Sequence, residues 1–307
     1  MVIDWIIVLL ALTALIAGSI TDFKKREVSD WLSYSLMFAG VGLSIFKWVA
    51  TEDVWFFIFS LIGFGLMFLV SLVMFYTGQW GGGDAKVLMG LGALFGSYTP
   101  LFATNFHSEL LPNFLQGFAQ YNPLFLFILL LNIAIMGSLY GFVWTFVLAI
   151  VKRKTFAKEY VNQATKNKKI RYSAYTIAAI FLLIGSLTNS QITKIITFFF
   201  GLLIAMMITA HTYVKTIETV AMVKNVNVSD ITEGEWIVYE VFDKKKKYIC
   251  GPKDLGISSE QIAKLKENNI KKIIIKVGIP FIPAFLIGFI VTILFSNVIL
   301  TLYTLIA

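Results

Sequence analysis

Two aspartates stand where an apolar chain rarely keeps acids. Asp22 closes the first apolar run, in Gly18-Ser19-Ile20-Thr21-Asp22, and Asp84 opens the fourth, in Trp80-Gly81-Gly82-Gly83-Asp84. Ionisable groups at membrane depth are costly and usually have a task. Two carboxyl groups sharing a partly dry site cannot both ionise easily, so one keeps its proton while the other stays anionic. The anionic member can take a proton from water, and the protonated member can polarise a carbonyl. That is sufficient to hydrolyse a peptide bond without a metal or a covalent intermediate. Gly81, Gly82 and Gly83 allow unusual backbone angles and close approach by another chain, so an extended substrate could lie against them. The bland alternatives are an acid facing water at a helix end and a simple glycine turn. Asp4, Asp30 and Asp53 are read in that way, and Asp30 also suits the N-cap of the second span.

The elements that must position these acids are membrane helices. The chain has 307 residues, of which 58% are hydrophobic and 14% charged, with a mean hydropathy of +0.79. Soluble proteins carry about a quarter charged residues, and a crossing helix needs about 20 apolar residues. Eight spans are expected, near 3–21, 31–49, 54–76, 85–104, 123–151, 173–188, 191–211 and 278–303. Of the 26 Lys and Arg, only Lys47, Lys86 and Lys194 lie outside the segments 22–30, 152–172 and 212–277. The alternate loops near 50–53 and 105–122 hold none. This asymmetry predicts a cell-membrane protein with both termini outside and the basic segments in the cytoplasm. Asp22 and Asp84 then lie at the cytoplasmic ends of their helices, at similar depth. The net charge of +8 is explained by those loops, so no nucleic-acid partner is expected.

The fold class is therefore an all-α polytopic membrane protein with a small cytoplasmic α+β insertion. The expected division is a membrane domain over 1–211, the insertion over 212–277, and a final span over 278–307 that completes the membrane domain. In the insertion, Glu235–Val241 alternates as a strand does, Asp243–Lys247 is a charged turn, and Tyr248–Cys250 can return as a second strand. Ser258 and Gln261 have capping-box spacing ahead of a helix, and Ile270–Val277 alternates again, which gives a ββαβ pattern. The N-terminus lacks a basic stretch ahead of its first apolar run, so no cleaved signal peptide is read. One cysteine, Cys250, supports neither an internal disulfide nor a multi-cysteine zinc site. His107 and His211 are isolated, and no metal or other cofactor is expected.

Three motifs carry a family resemblance. Gly81-Gly82-Gly83-Asp84 with Ala85-Lys86 resembles the GxGD signature of type IV prepilin peptidases and archaeal preflagellin peptidases. Asp22-Phe23-Lys24-Lys25-Arg26-Glu27-Val28-Ser29-Asp30 is similar to that family's pattern around its first catalytic aspartate. Gly278-Ile279-Pro280-Phe281-Ile282-Pro283-Ala284-Phe285 looks like the proline-containing start of the last span in archaeal members. The resemblance implies an aspartic endopeptidase with Asp22 and Asp84 as the catalytic dyad and Gly81 and Gly83 as fixed glycines. Arg26 and Lys86 would support the site, and Pro280 and Pro283 would break the backbone at its edge. For Lys86 that support is a local role, screening the dyad or holding the fourth helix, while the bland readings are a positive-inside anchor for Arg26 and an ordinary helix start for the prolines. The implied substrates are prepilin-like precursors, in which a short basic leader precedes a hydrophobic helix lying in the bilayer.

Bacterial members often carry a four-cysteine zinc domain that supports N-methylation. A single cysteine excludes that domain, so cleavage without methylation is implied. The insertion and extra spans resemble the larger archaeal prepilin enzymes. Other readings are a presenilin-type protease, which shares GxGD but has its aspartates on neighbouring spans, a proton-coupled transporter, and a non-catalytic scaffold binding partners or anionic lipid through 212–277. A transporter would place its acids near the bilayer middle, on broken helices.

Overall fold

The computed structural model of the protein describes residues 2–99 and 124–295. The chain divides into two compact units, Met1–Phe142 with Gly278–Ala307, and Val143–Val277.

In the first unit, α1 (Val2–Lys25), α2 (Asp30–Thr51), α3 (Trp55–Tyr76) and α4 (Gly82–Phe95) follow one another, joined later in the chain by α5 (Phe125–Val151), as far as Phe142, and by α10 (Ile282–Phe295). α1 buries a stripe of Asp4, Ile7, Val8, Ala11, Leu15, Gly18, Ser19 and Asp22. The spacing of three and four residues is that of one helical face. Asp4 and Asp22 thus lie on the same face, about 27 Å apart along the axis at 1.5 Å per residue. α4 is the central helix. From Val87 to Phe95 only Met89 is less than fully buried, and the helix packs against α2 and α3. Small residues make this approach possible. A Cβ on Gly92 would come to 2.5 Å from the Gly63 carbonyl oxygen of α3. Ser60 of α3 donates to the Ala93 carbonyl at 2.7 Å, and Ser71 donates to that of Ala85 at 2.9 Å.

Six helices are long and apolar enough to cross a membrane: α1, α2, α3, α5, α7 (Lys168–Leu187) and α8, whose helical run extends over Gln191–Met222. The count of eight is not reached among the described residues. The expected span 85–104 ends as a helix at Phe95, giving 14 residues. Gly96 terminates it, and the Ser97 carbonyl turns to accept from Lys47 Nζ at 2.6 Å. α10 likewise has 14 residues, and the remainder of its expected span lies outside the described residues.

The second unit holds α6 (Arg153–Lys166), α7, α8 (Gln191–Ile217) and a small sheet region. Read from sequence as a basic loop, 152–172 is mostly helix, because Lys, Ala, Glu and Gln favour that state. Phe156 and Tyr160 stack at 5.9 Å, and Phe156 meets Tyr213 of α8 at 5.7 Å. The sheet order is β1 (Val223–Asn227), β5 (Lys272–Lys276), β2 (Trp236–Ile237), all antiparallel to the central β5. Ile273 and Ile275 of β5 point into the core with Leu265 of α9 (Ser259–Glu267). The expected strand 235–241 is two short pieces, since only Trp236 and Ile237 pair with β5 while β3 (Val241–Phe242) turns to β4 (Tyr248–Cys250). Asp243 holds that turn by accepting from the amides of Lys245 and Lys247, both at 2.8 Å. β1 is a strand that the ββαβ reading lacked. The capping box is present: Ser258 Oγ accepts from Gln261 N–H at 3.3 Å, and Gln261 Oε1 accepts from Ser258 N–H at 2.9 Å.

Candidate active site

The first unit gathers its acidic helix ends around the start of α10. Pro280 and Pro283 lack N–H groups, so the amides of Phe281 and Ile282 are the donors left at that helix start. Asp22, 7% exposed at the end of α1, accepts from Ile282 N–H through Oδ2 at 3.0 Å, and the Phe281 amide also reaches it. An acid from a helix 260 residues away therefore caps α10, at the end where backbone dipoles favour negative charge. Pro280 and Pro283 are both buried. Pro283 occupies the first turn of α10, where a missing N–H costs nothing.

Arg26 fixes the turn after α1. Its backbone is left-handed, with φ of 60°, its N–H donates to the Asp22 carbonyl at 2.9 Å, and its guanidinium donates to the Gly278 carbonyl at 3.2 Å. One side chain thus ties the segment after Asp22 to the segment ahead of α10.

Asp84 sits in the first turn of α4, partly buried, and its Oδ2 accepts from Gly81 N–H at 3.1 Å. Gly81 is extended at φ −72°, and none of the three glycines has positive φ, so unusual backbone angles do not explain the run. Close approach does at Gly83, where a Cβ would come to 3.0 Å from Cβ of Val28. Trp80, beside the glycines, packs on Phe281 and Phe285 with ring centroids 5.9 and 5.3 Å away. The loop bearing Asp84 therefore rests on the same helix start that Asp22 caps. The two carboxyl groups stand within electrostatic reach of each other.

Lys86 turns elsewhere. Its Nζ pairs with Asp30 of α2 at 2.5 Å and lies 5.5 Å from the centre of the Tyr34 ring, which fastens α4 to α2. Asp30 is the first residue of α2, with Ser29 at the N-cap. Tyr140 of α5, not singled out in the sequence, lies within electrostatic reach of Asp22 and Arg26. Nothing in its local sequence distinguishes it from other interfacial aromatics. Asp4 corrects an expectation: it is 3% exposed and pairs with Lys47, itself 4% exposed, at 2.5 Å. It also accepts from Thr99 N–H at 3.0 Å. Its place in the α1 stripe was the available signal. His107 lies outside the described residues. Among the described residues no group of three His, Cys, Asp or Glu side chains could hold a metal ion.

Comparison with known proteins finds one matching family and several relatives. Residues 9–142 match the Type IV leader peptidase family. A preflagellin peptidase of Methanococcus maripaludis is 34% identical over 114 residues, 37% of this chain and 47% of that protein. One of Methanococcus voltae is 33% identical over 118 residues, 38% of this chain and 48% of that protein. One of Methanocaldococcus jannaschii is 37% identical over 94 residues, 29% of this chain and 40% of that protein. The chain spans about half the length, or less, of these curated relatives. The stretch that matches the Type IV leader peptidase family, residues 9–142, thus holds both Asp22 and Asp84.

Proposed function

We propose that this protein is a membrane-embedded aspartic endopeptidase of the GxGD type. It removes the short basic leader from prepilin-like precursors, pilin or archaellin, at the cytoplasmic face of the cell membrane. The carrying observation is that Asp22 and the Asp84 loop meet at one helix start. Asp22 caps α10, Trp80 packs on it, and the carboxyl groups sense each other. The relatives' name, preflagellin peptidase, points to the same substrate class.

In this reading the hydrophobic helix of the precursor lies in the bilayer, and its basic leader stays in the cytoplasm. The pair holds one proton and one water. The anionic carboxylate takes a proton from that water as its oxygen bonds to the scissile carbonyl carbon. The protonated carboxyl donates to the carbonyl oxygen, and the carbon–nitrogen bond then breaks with a proton passing to the departing amine. Gly81 and Gly82 give the substrate backbone room beside Asp84, and Gly83 lets the turn pack against Val28. Arg26, Pro280 and Pro283 hold Asp22 and the α10 start, and Lys86 holds α4. No cofactor takes part. The membrane domain over 1–211 and 278–307 performs the cut, and 212–277 serves recognition of the leader or of the lipid surface.

The test uses purified Asp22→Ala, Asp84→Ala, Asp22→Asn and Asp84→Asn, each reconstituted in liposomes with a prepilin-like precursor. All four fall to background cleavage while melting within a few degrees of the parent. The amide matches the carboxyl in shape but cannot exchange the proton. Full cleavage by any folded variant overturns the assignment, and products cut deep inside the substrate helix would move it to the presenilin type.

A further inference from the structure

The second unit contains a cavity that the proteolytic reading does not use. It is about 370 Å³ and is lined by Gln163, Lys166, Asn167, His211 and Lys215. Small-ligand sites span roughly 300–1,000 Å³. Every lining side chain can donate a hydrogen bond, and two carry ammonium charge.

The nearby carboxylates are already engaged. Glu218 is shared by Lys215 at 3.1 Å and Lys276 at 2.8 Å. Glu159 accepts from Gln163 at 2.7 Å and Asn162 at 3.2 Å. The first contact orients the Gln163 amide, and neither acid is among the lining residues. The wall is held in place by Phe156 against Tyr213 and by Arg171, which donates to the Ala164 carbonyl at 3.0 Å.

Position decides the ligand class. Asn167 immediately precedes α7, a helix able to cross a membrane, and His211 follows the apolar stretch 195–210 of α8, another such helix. The cavity therefore opens where two spans reach water. That is the depth of lipid phosphates, and basic pockets between spans at this depth suit anionic headgroups. Several donors around one cavity match a group with several acceptor oxygens.

We propose that this cavity is a phosphate-binding site, with Lys166 and Lys215 as charge partners and Asn167, Gln163 and His211 as further hydrogen-bond donors. The phosphate comes from a lipid headgroup or from free phosphate, and the experiment separates the two sources. The full chain, stripped of lipid in detergent, is titrated with phosphatidylglycerol, with diacylglycerol and with inorganic phosphate, and bound adducts are counted by native mass spectrometry. Phosphatidylglycerol binds and diacylglycerol does not. Binding weakens by about tenfold or more in Lys166→Gln/Lys215→Gln, each cation being worth about a factor of five at a membrane surface. It stays unchanged in Lys244→Gln/Lys245→Gln, which removes equal charge from the β3–β4 turn. Asn167→Asp, which sets a carboxylate in the wall, weakens binding as well. Loss of only inorganic phosphate in the first variant assigns the site to free phosphate. Equal binding by parent and first variant, or equal loss in both lysine pairs, overturns the proposal.

Discussion

Lys47 reaches Asp4 across two helices, and both groups are almost wholly withdrawn from water. The amine also serves the Ser97 carbonyl and stands 4.9 Å from the centre of the Phe56 ring. Removing one partner strands the other charge, which costs about 3–5 kcal/mol, whereas replacing both by apolar groups is often neutral. Lys47→Met and Asp4→Leu should each lower the melting temperature sharply, and the double variant should recover most of the loss. A thermal double-mutant cycle checks this, and additive losses would show that the pair is not coupled. Asp4 reads in sequence as an acid facing water, although its spacing with Ile7, Val8 and Ala11 puts it on the α1 stripe, and the partner on α2 could not be read without the helix packing. Cys250 makes a second case at this scale. Burial, with the charge of Asp254 adding, pushes its thiol up to about 11. The folded state thus disfavours the thiolate. Its contribution to stability is complete below the unfolded value of about 8.5 and is lost as pH rises towards the folded value. Iodoacetamide at pH 8 should label Cys250 slowly in the native protein and rapidly in denaturant. Rapid native labelling would contradict the burial of the thiol.

α4 depends on having no side chain where neighbouring helices touch it. Gly92→Ala drives a methyl group towards the Gly63 carbonyl and the Met67 side chain. Overpacking of this kind costs about 1–3 kcal/mol, read as a lower melting temperature. Gly83→Ala differs, because its obstacle is the Val28 side chain at the edge of the bundle. It should displace the Asp84 turn with little change in melting, lowering the cleavage rate of a prepilin-like precursor by roughly tenfold on the scale that a small misplacement costs. Val28→Ala in the same chain should restore part of the rate. Unchanged cleavage in Gly83→Ala would mean that the turn is not position-critical. The spans α1, α2, α3 and α5 were legible to within a few residues, because a run of apolar residues of bilayer length has few other uses. The helix α6 was not, since its charges mark a loop in a membrane chain while its propensity favours helix. The cap of Asp22 on α10 was equally hidden, being a contact between residues 260 positions apart.

At the scale of the whole molecule, the chain leaves and rejoins its helices at one point. β1 and β5 are antiparallel, with Val223 opposite Lys276, and Val277 N–H donates to the Met222 carbonyl at 2.8 Å. Everything from 223 to 276 is therefore an excursion whose two ends already touch. It has its own apolar core of Val228, Ile237, Ile249, Ile257, Leu265, Ile273 and Ile275. The acids of the proposed site and the helices that carry them lie in the other unit. A linker of two or three residues from Met222 to Val277 can span the gap, since facing strand residues stand only about 4.5–5.5 Å apart. The excised protein should melt cooperatively and keep its kcat on a precursor to within about threefold. If the excursion reads the basic leader or the lipid surface, KM should rise, because only binding away from the reacting bond has been removed. Loss of kcat in a folded, excised protein would instead place the excursion in the catalytic machinery. Unchanged kcat and KM would leave it without a part in cleavage.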